Sequence, residues 1–452
     1  MSIRPQKGDR HAYLTQTPVP RLICTLSVPT IISMLVTGIY NAADTYFVGR
    51  ISTQATAAVG LVFSVMAIIQ ALGFFCGQGS GNYLSRLLGA GEKQKAGEIA
   101  VTGFAMALLL GLLLAVLGNA FVYPLARLLG ATDSNLPDTV AYLRIILMGA
   151  PFMMGQCVIN NQLRFQGSAF YAMIGLMCGA MINIGLDPLL IFVFGLGVPG
   201  AAIATISGQF IGFTTLLIGS RRGENIRLDL RNIRLNVSNV LQIANGGLPS
   251  LVRQGMAAVS VVFLNRFANL YGGDAGIAGM SIVTRTMQLL TSALIGFGQG
   301  YQPVCSYNYG ARRFDRVREG YFFCIRYGTI LMALAALICL LFPGKIVSFF
   351  RDDPEVIAIG SQALRWQAAV LPLMATSILT NMMLQASGQG LRSSITSSAR
   401  NGIFFLPLIL ILPRLFGLCG VVMTQAWADV LTFLLCLPFS WFCLKRMKKM
   451  EA

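Results

Sequence analysis

Histidine and charge are scarce in this sequence. One of its 452 residues is a histidine and 11% are charged, whereas about 25% of the residues in an average soluble domain are charged. The histidine, His11, lies near the amino terminus, so the rest of the chain has no imidazole for nucleophilic catalysis or metal binding. The G-x-x-x-x-G-K-[ST] loop that cradles nucleotide phosphates is also absent. We therefore expect neither an enzyme nor an ATP-driven motor.

The ten cysteines show no metal-binding pattern. No C-x-x-C pair occurs, and most of the cysteines lie in apolar segments. Buried cysteines of this kind pack as small apolar side chains. We therefore expect no structural metal and no resident cofactor.

Apolar residues make up 55% of the chain. They form twelve segments of about 20 residues or more, and a helix of that length crosses the hydrocarbon core of a bilayer, about 30 Å. The sequence predicts an all-α integral membrane protein with twelve transmembrane helices, called spans 1 to 12 here. The segments lie near 22–48, 54–79, 98–119, 139–163, 168–194, 198–219, 239–268, 275–302, 319–342, 361–384, 393–416 and 419–444.

Basic residues are concentrated in alternate connections between the spans. The formal net charge is +17, and an excess of Lys and Arg marks the cytoplasmic loops of membrane proteins. This pattern predicts that both termini are cytoplasmic, and it accounts for the charge without a nucleic-acid partner. The basic residues in question include Arg221, Arg222, Arg227, Arg231, Arg234, Arg312, Arg313, Arg316, Arg318 and the segment KRMKK at 445–449.

The chain repeats itself after about 220 residues. Pro29 is matched by Pro249, and the tripeptide GQG occurs at 77–79 and again at 298–300. Each half holds six spans, an even number, so the two lobes are parallel. Parallel repeats of this kind occur in secondary transporters, and we expect a central cavity between them that opens alternately to each side. The predicted domains are an N-terminal lobe, a cytoplasmic linker and a C-terminal lobe over 1–220, 221–238 and 239–452.

Acidic residues are rare within the spans: Asp44, Asp187 and Asp429 lie there. A charged residue at mid-bilayer costs at least about 2.5–3.5 kcal/mol, so such residues normally face a cavity and have a function. Asn183 lies four residues before Asp187 on the same helix face, and Thr205 lies in span 6. Two carboxylates, an amide and a hydroxyl suit a hard cation, and two adjacent carboxylates also hold a proton. Alternatively, Asp44 caps the outer end of span 1.

Three segments of the chain are similar to those of the multidrug and toxic compound extrusion (MATE) family, nearest its bacterial multidrug members. They are GFGQGYQPVCSYNYGARR at 296–313, ADTYFVGR at 43–50, and NIGLDP at 183–188 followed by GVPGAA at 197–202. The resemblance covers essentially the whole chain. It implies two six-helix lobes in the bacterial inner membrane and export of amphipathic organic compounds or drugs in exchange for Na⁺ or H⁺.

The resemblance also implies roles for individual residues. It assigns binding of the coupling cation to Asp44, Asn183, Asp187 and Thr205. Pro188 would leave a backbone carbonyl free beside this site. Pro29 is either a bend point of helix 1 or a proline in the first turn of a helix, where proline is favoured.

The second lobe departs from the first. The counterparts of the two first-lobe carboxylates are Asn265 and residues 405–406, which are not acidic. Asp429 is therefore the acid that could act in this lobe. Arg253 and Arg285 lie in spans 7 and 8, where they either pair with Asp429 or line the cavity and disfavour strongly cationic compounds.

We expect a small organic substrate to bind in a cavity with soft walls of Met and Phe. The polar residues predicted to line it are Tyr40, Asn160, Gln288 and Asn381. The further partner expected is membrane lipid, and the protein is predicted to be a monomer. A flippase for lipid-linked precursors, from the same superfamily, is the alternative function. Arg253 and Arg285 favour it, whereas the oxygen set of spans 1, 5 and 6 favours cation-coupled export.

Overall fold

The computed structural model describes residues 10–222, 225–229, 233 and 236–451. Within these residues the chain is helical and contains no strand. Two of the arginines predicted for the cytoplasmic linker, Arg231 and Arg234, lie outside the described residues. The helices are α1 (Arg10–Gln16), α2 (Val19–Gly49), α3 (Thr53–Gly89), α4 (Lys93–Ala120), α5 (Val122–Leu128), α6 (Leu136–Phe165), α7 (Ala169–Pro188), α8 (Gly197–Ser220), α9 (Val237–Gly310), α10 (Phe314–Leu341), α11 (Pro343–Phe350), α12 (Pro354–Val370), α13 (Leu373–Ala386), α14 (Gly390–Ser398), α15 (Phe405–Phe416) and α16 (Leu418–Glu451).

Twelve spans can be counted among these helices. Ten helices of the described chain are each long and apolar enough to cross a bilayer when α7 and α14 are taken with their continuations. One of the ten, α9, has 74 residues and would extend about 110 Å at 1.5 Å per residue. Its backbone leaves helical geometry at Gly273, where φ is 55° and ψ is −151°, so it supplies two spans. α12 and α13 together supply one span, bent by 57°. The twelve-helix membrane fold predicted from the sequence is confirmed.

The helices present apolar side chains outward as well as inward. On α4, Phe104 and Ala107 are buried, while Leu109, Leu113 and Val116 are more than half exposed. In water an exposed apolar face of this kind would be costly, whereas in a bilayer it meets hydrocarbon. The outward leucines therefore agree with a helix that is surrounded partly by lipid.

The chain forms two compact units. Unit 1 contains the described residues up to Gln16 and Val28–Gly247, and unit 2 contains Thr17–Ser27 and the residues from Leu248 onward. Unit 1 has a core from α3, α4 and α6 that includes Ile69 and Leu147. Unit 2 has a separate core from α9, α13 and α16 that includes Leu294, Ala375 and Val421. Each unit carries five complete spans and most of a sixth, because the boundaries between the units cut α2 and α9 near their starts.

Both prolines that mark the sequence repeat lie inside helices. α2 begins at Val19 and α9 at Val237, so Pro29 and Pro249 each lie more than two turns from the start of their helix. The interpretation of Pro29 as a first-turn proline is therefore wrong. In a helix interior, proline cannot donate the bond to the carbonyl four residues earlier, and it bends the helix. The divisions between the units come at 27–28 and 247–248, just before these prolines.

The fifth span of each unit contains a π-helical segment. In unit 1, α7 ends at Pro188 and Leu189–Val193 follow as π-helix. In unit 2, α14 continues into the π-helix Ala399–Ile403 before α15 begins. Such segments are rare and are frequently found at functional sites.

Candidate functional site

Two pairs of glycines allow α7 and α8 to approach each other closely. A Cβ atom added to Gly208 would lie 2.7 Å from the Gly179 carbonyl oxygen, and one added to Gly212 would lie 3.1 Å from that of Gly175. Glycines four residues apart on two facing helices are a common way to pack membrane helices backbone to backbone. This contact sets the distance between the polar residues that lie one turn after Gly179 on α7 and one turn before Gly208 on α8.

The polar residues of α7 and α8 meet directly beyond these glycines. The Asn183 side-chain amide donates to the Thr205 hydroxyl at 3.4 Å. Asp187 lies one turn further along α7 and is 0% exposed. The structure therefore brings together the three residues that the sequence predicted on spans 5 and 6.

α2 contributes Asp44 and Tyr40 to the same region of unit 1. Asp44 is 3% exposed, and its carboxylate is close enough to interact electrostatically with that of Asp187. It lies more than one turn before the end of α2 at Gly49, so it is not at the helix end that the alternative required. Tyr40 interacts with Thr205 and with both carboxylates. Predicted as a cavity residue, Tyr40 lies beside the candidate cation site.

Sequence reasoning missed one residue of this cluster, Tyr142 on α6. Its side chain is 0% exposed, and it interacts electrostatically with Asp44, Tyr40 and Asp187. A tyrosine needs a partner for its hydroxyl when it is buried. The sequence offered one signal, a tyrosine in the apolar run of span 4. A tyrosine in such a run does not reveal which side chains of other helices contact its hydroxyl.

Several oxygens in the cluster have no hydrogen-bond partner among the described residues. They are Asp44 Oδ1, Asn183 Oδ1 and both carboxylate oxygens of Asp187. Burying an ionised carboxylate without a donor or a counter-charge is very costly, so these two carboxylates require a cation or a proton. The described chain has no group of three His, Cys, Asp or Glu residues suited to a metal. Carboxylate, amide and hydroxyl oxygens form a set that suits a hard cation or a proton.

Two predicted cavity residues, Asn160 and Asn381, make the same contact in the two units. The Asn160 side-chain amide donates to the Ala172 carbonyl at 3.0 Å, and that of Asn381 donates to the Ser393 carbonyl at 2.7 Å. Each acceptor lies twelve residues after the asparagine. Both asparagines are buried, and each ties the fourth span of its unit to the fifth. The fourth predicted cavity residue, Gln288, is exposed on α9 of unit 2.

The polar residues of unit 2 form a different arrangement. Within the described residues, the ion-pair partner of Asp429 is Arg400 on the π-helical segment, not Arg253 or Arg285. Arg253 is partly buried and Arg285 is exposed on α9. Sequence reasoning did not single out Arg400, although an arginine in an apolar span is itself an unusual feature.

Comparisons with known proteins place these features in context. The MatE family model matches residues 29–189 and 249–411, most of the chain. The two matched segments begin at Pro29 and Pro249, in agreement with the repeat. The multidrug export protein MepA of Staphylococcus haemolyticus (strain JCSC1435) is 29% identical over 425 residues, which cover 94% of this chain and 93% of MepA.

Two solved structures are similar over nearly the whole chain. A MATE protein in a bent conformation has a TM-score of 0.92 at 26% identity and covers 99% of this chain and 100% of its own. A MOP superfamily transporter from Pyrococcus furiosus has a TM-score of 0.91 at 26% identity and covers 98% of this chain and 100% of its own. The latter is described as having a binding pocket of reverse polarity that suggests a different function.

Proposed function

Because this chain belongs to the MatE family of multidrug and toxic compound extrusion transporters, we propose that it exports amphipathic organic compounds in exchange for an entering cation, Na⁺ or H⁺. It acts as a monomer in a bacterial plasma membrane, with both termini cytoplasmic. The observation that carries the cation coupling is the buried cluster in unit 1. Asp44 and Asp187 contribute two carboxylates there, and three of their four oxygens have no partner among the described residues.

Coupling requires that the cation binds one conformation better than the other. A ligand shifts a conformational equilibrium only through a difference in affinity between the states. The candidate ligands come from α2, α7 and α8, so a change in the bend of α2 alters the distance from Asp44 to Asn183, Asp187 and Thr205. α7 and α8 are held together by their glycine contacts, which makes α2 the element that moves against them.

Multidrug export is favoured over the flippase by the curated relatives, which include the multidrug export protein MepA. The sign of the charge on the substrate is a separate question. One similar transporter has a binding pocket of reverse polarity, and this chain carries Arg253 and Arg285 in α9. Both cationic and anionic compounds therefore belong in the test.

The test is dye transport in vesicles that contain the purified protein. We expect an imposed Na⁺ or H⁺ gradient to drive accumulation of a fluorescent cationic or anionic dye, and the Asp187→Asn variant to lose this response. Vesicles without protein are the control for leakage, and the double Asp44→Asn, Asp187→Asn variant removes both carboxylates of the site. Gradient-driven transport by the double variant at the wild-type rate would refute coupling through this site.

A further inference from the structure

A charged residue lies at or next to the π-helical segment of each unit, and its sign differs between the units. In unit 1, the acid Asp187 lies just before the segment Leu189–Val193. In unit 2, the base Arg400 lies within the segment Ala399–Ile403. The two segments occupy the fifth span of their unit, so an acid precedes the π-helical segment in unit 1 and a base lies within it in unit 2.

The partner of Arg400 comes from the sixth span of unit 2. The Arg400 Nε donates to Asp429 Oδ1 at 2.7 Å, and the Gln425 side-chain amide donates to the same oxygen at 3.2 Å. A second guanidinium nitrogen, Nη2, lies 3.7 Å from the sulfur of Met374 on α13. Asp429 is 5% exposed and Arg400 29% exposed. The ion pair is therefore held from two sides, by α16 and by α13.

The ion pair contacts the repeat counterpart of one residue of the unit 1 cluster, Thr205. Gly200 at the start of α8 is matched by Gly420 at the start of α16, an offset of 220 residues. At this offset, Gln425 is the counterpart of Thr205. Gln425 donates to Asp429, while Thr205 accepts from Asn183. The same position on the sixth span is thus Thr205 in unit 1, where two acids lie nearby, and Gln425 in unit 2, where an acid and a base form an ion pair.

The two clusters differ in whether their acids are satisfied. Asp187 has no partner for either oxygen among the described residues, whereas Asp429 accepts from a guanidinium and an amide. We propose that Arg400 is a built-in cation for unit 2: it neutralises Asp429 permanently, so that unit 2 binds no transported cation and coupling runs through unit 1 alone. This inference rests on the proposed function only for what the unit 1 cluster binds.

Removal of the Arg400 guanidinium should make Asp429 dependent on a bound cation or proton, as Asp187 is in unit 1. Asp429 is buried while Arg400 is partly exposed, so loss of the guanidinium leaves a buried carboxylate without a counter-charge. At membrane depth this carboxylate must acquire a cation or a proton. In Arg400→Gln, Asp429 should therefore take up one cation that the wild-type protein does not bind. Arg400→Lys keeps the positive charge and should take up none.

The experiment measures bound cation in detergent-purified protein at fixed pH, with no transport step. Binding of radioactive Na⁺ gives the stoichiometry, and the infrared band of protonated carboxyl groups detects a proton in place of Na⁺. We expect Arg400→Gln to gain about one Na⁺ per protein or a new carboxyl band, and Asp429→Asn in the same chain to remove it. Absence of both signals in folded Arg400→Gln would overturn the proposal.

A second variant keeps the proposal testable if Arg400→Gln does not fold. The double variant Arg400→Gln, Asp429→Asn replaces the ion pair by two neutral amides and should bind as much cation as the wild-type protein. A loss of bound cation from the folded double variant would show that Asp429 takes part in coupling, and would also overturn the proposal. Asp187→Asn is the separate control for the unit 1 site. If the wild-type protein binds no cation, or if Asp187→Asn binds as much as the wild type, the proposed function is contradicted and not the role of Arg400.

Discussion

Asp187 is a fully buried acid whose two oxygens have no donor within the described chain. Such a carboxylate is stable only when a proton or a cation neutralises it. Asp44 shares this requirement, while Asn183 and Thr205 offer neutral oxygens, which we expect to contribute to cation affinity without changing the charge. The residues of the cluster therefore differ in what their replacement should do.

Asp44→Asn and Asp187→Asn should each abolish gradient-driven export while leaving the amount of folded protein near that of the wild type. The amide has nearly the same shape, but it cannot take up a proton or neutralise a cation. Dye efflux from vesicles under an imposed Na⁺ or H⁺ gradient measures the loss. If both variants export at the wild-type rate, coupling lies elsewhere.

Asn183→Ala and Thr205→Ala should weaken coupling less, because each removes one neutral ligand. The loss of one such contact is worth about 1 kcal/mol, which raises the cation concentration for half-maximal export about fivefold. The same vesicle assay, repeated over a series of cation concentrations, measures this shift. An effect as large as that of Asp187→Asn would contradict the distinction between charged and neutral ligands.

At the scale of the elements, the glycine contacts of α7 and α8 and the proline of α2 have opposite effects. The glycines fix two helices against each other, and the proline leaves the Thr25 carbonyl without its helical donor. The division between the two units also falls within α2, between Ser27 and Val28, just before Pro29. We therefore expect α7 and α8 to move together and α2 to move relative to them.

Gly208→Ala should destabilise unit 1 and weaken cation binding. The added methyl would lie 2.7 Å from the Gly179 carbonyl oxygen and 2.9 Å from Asn183 Cβ, and overpacking of this kind costs about 1–3 kcal/mol. Gly185→Ala on α7 is the matched control, since nothing lies within 4 Å of its added Cβ. Thermal unfolding in detergent compares the two variants. An equal change in Tm for both would mean that the close approach does not matter.

Pro29→Ala should straighten α2 and impair export, whereas Pro249→Ala should be milder. The reason is that α2 carries Asp44, while the corresponding residue of α9, Asn265, is neutral and exposed. Export rates of the two variants at equal protein amounts decide between them. Equal losses, or a greater loss for Pro249→Ala, would leave the difference between the units without support.

At the scale of the whole molecule, the arrangement of charge predicts the orientation in the membrane. The basic residues cluster in connections that follow every second span, which predicts that the linker and both termini lie on the cytoplasmic side. The outward apolar faces of helices such as α4 provide the contact with hydrocarbon. Length and composition alone account for this level of organisation.

Cysteines introduced at Asp229 and Met450 should be protected from a membrane-impermeant thiol reagent in intact cells and react after permeabilisation. A cysteine at Ser134, in the connection between α5 and α6, should react in intact cells, because this connection follows an odd number of spans. The label on each variant is compared with that on the unmodified chain, which corrects for the native cysteines. Reaction of Asp229→Cys in intact cells would invert the predicted orientation.

The sequence by itself determined the twelve spans and the internal repeat, since hydrophobic length and matched prolines are properties of the chain read in order. It also indicated the three polar residues of α7 and α8, because Asn183 and Asp187 share one helix face and few other polar residues occur nearby. Tyr142 and the partner of Asp429 could not be predicted, since they depend on which faces of separate helices meet. Close packing decides which helix faces meet, as the contact of Gly179 with Gly208 does for α7 and α8 in unit 1. Only the tertiary structure brings such distant positions within reach of one another.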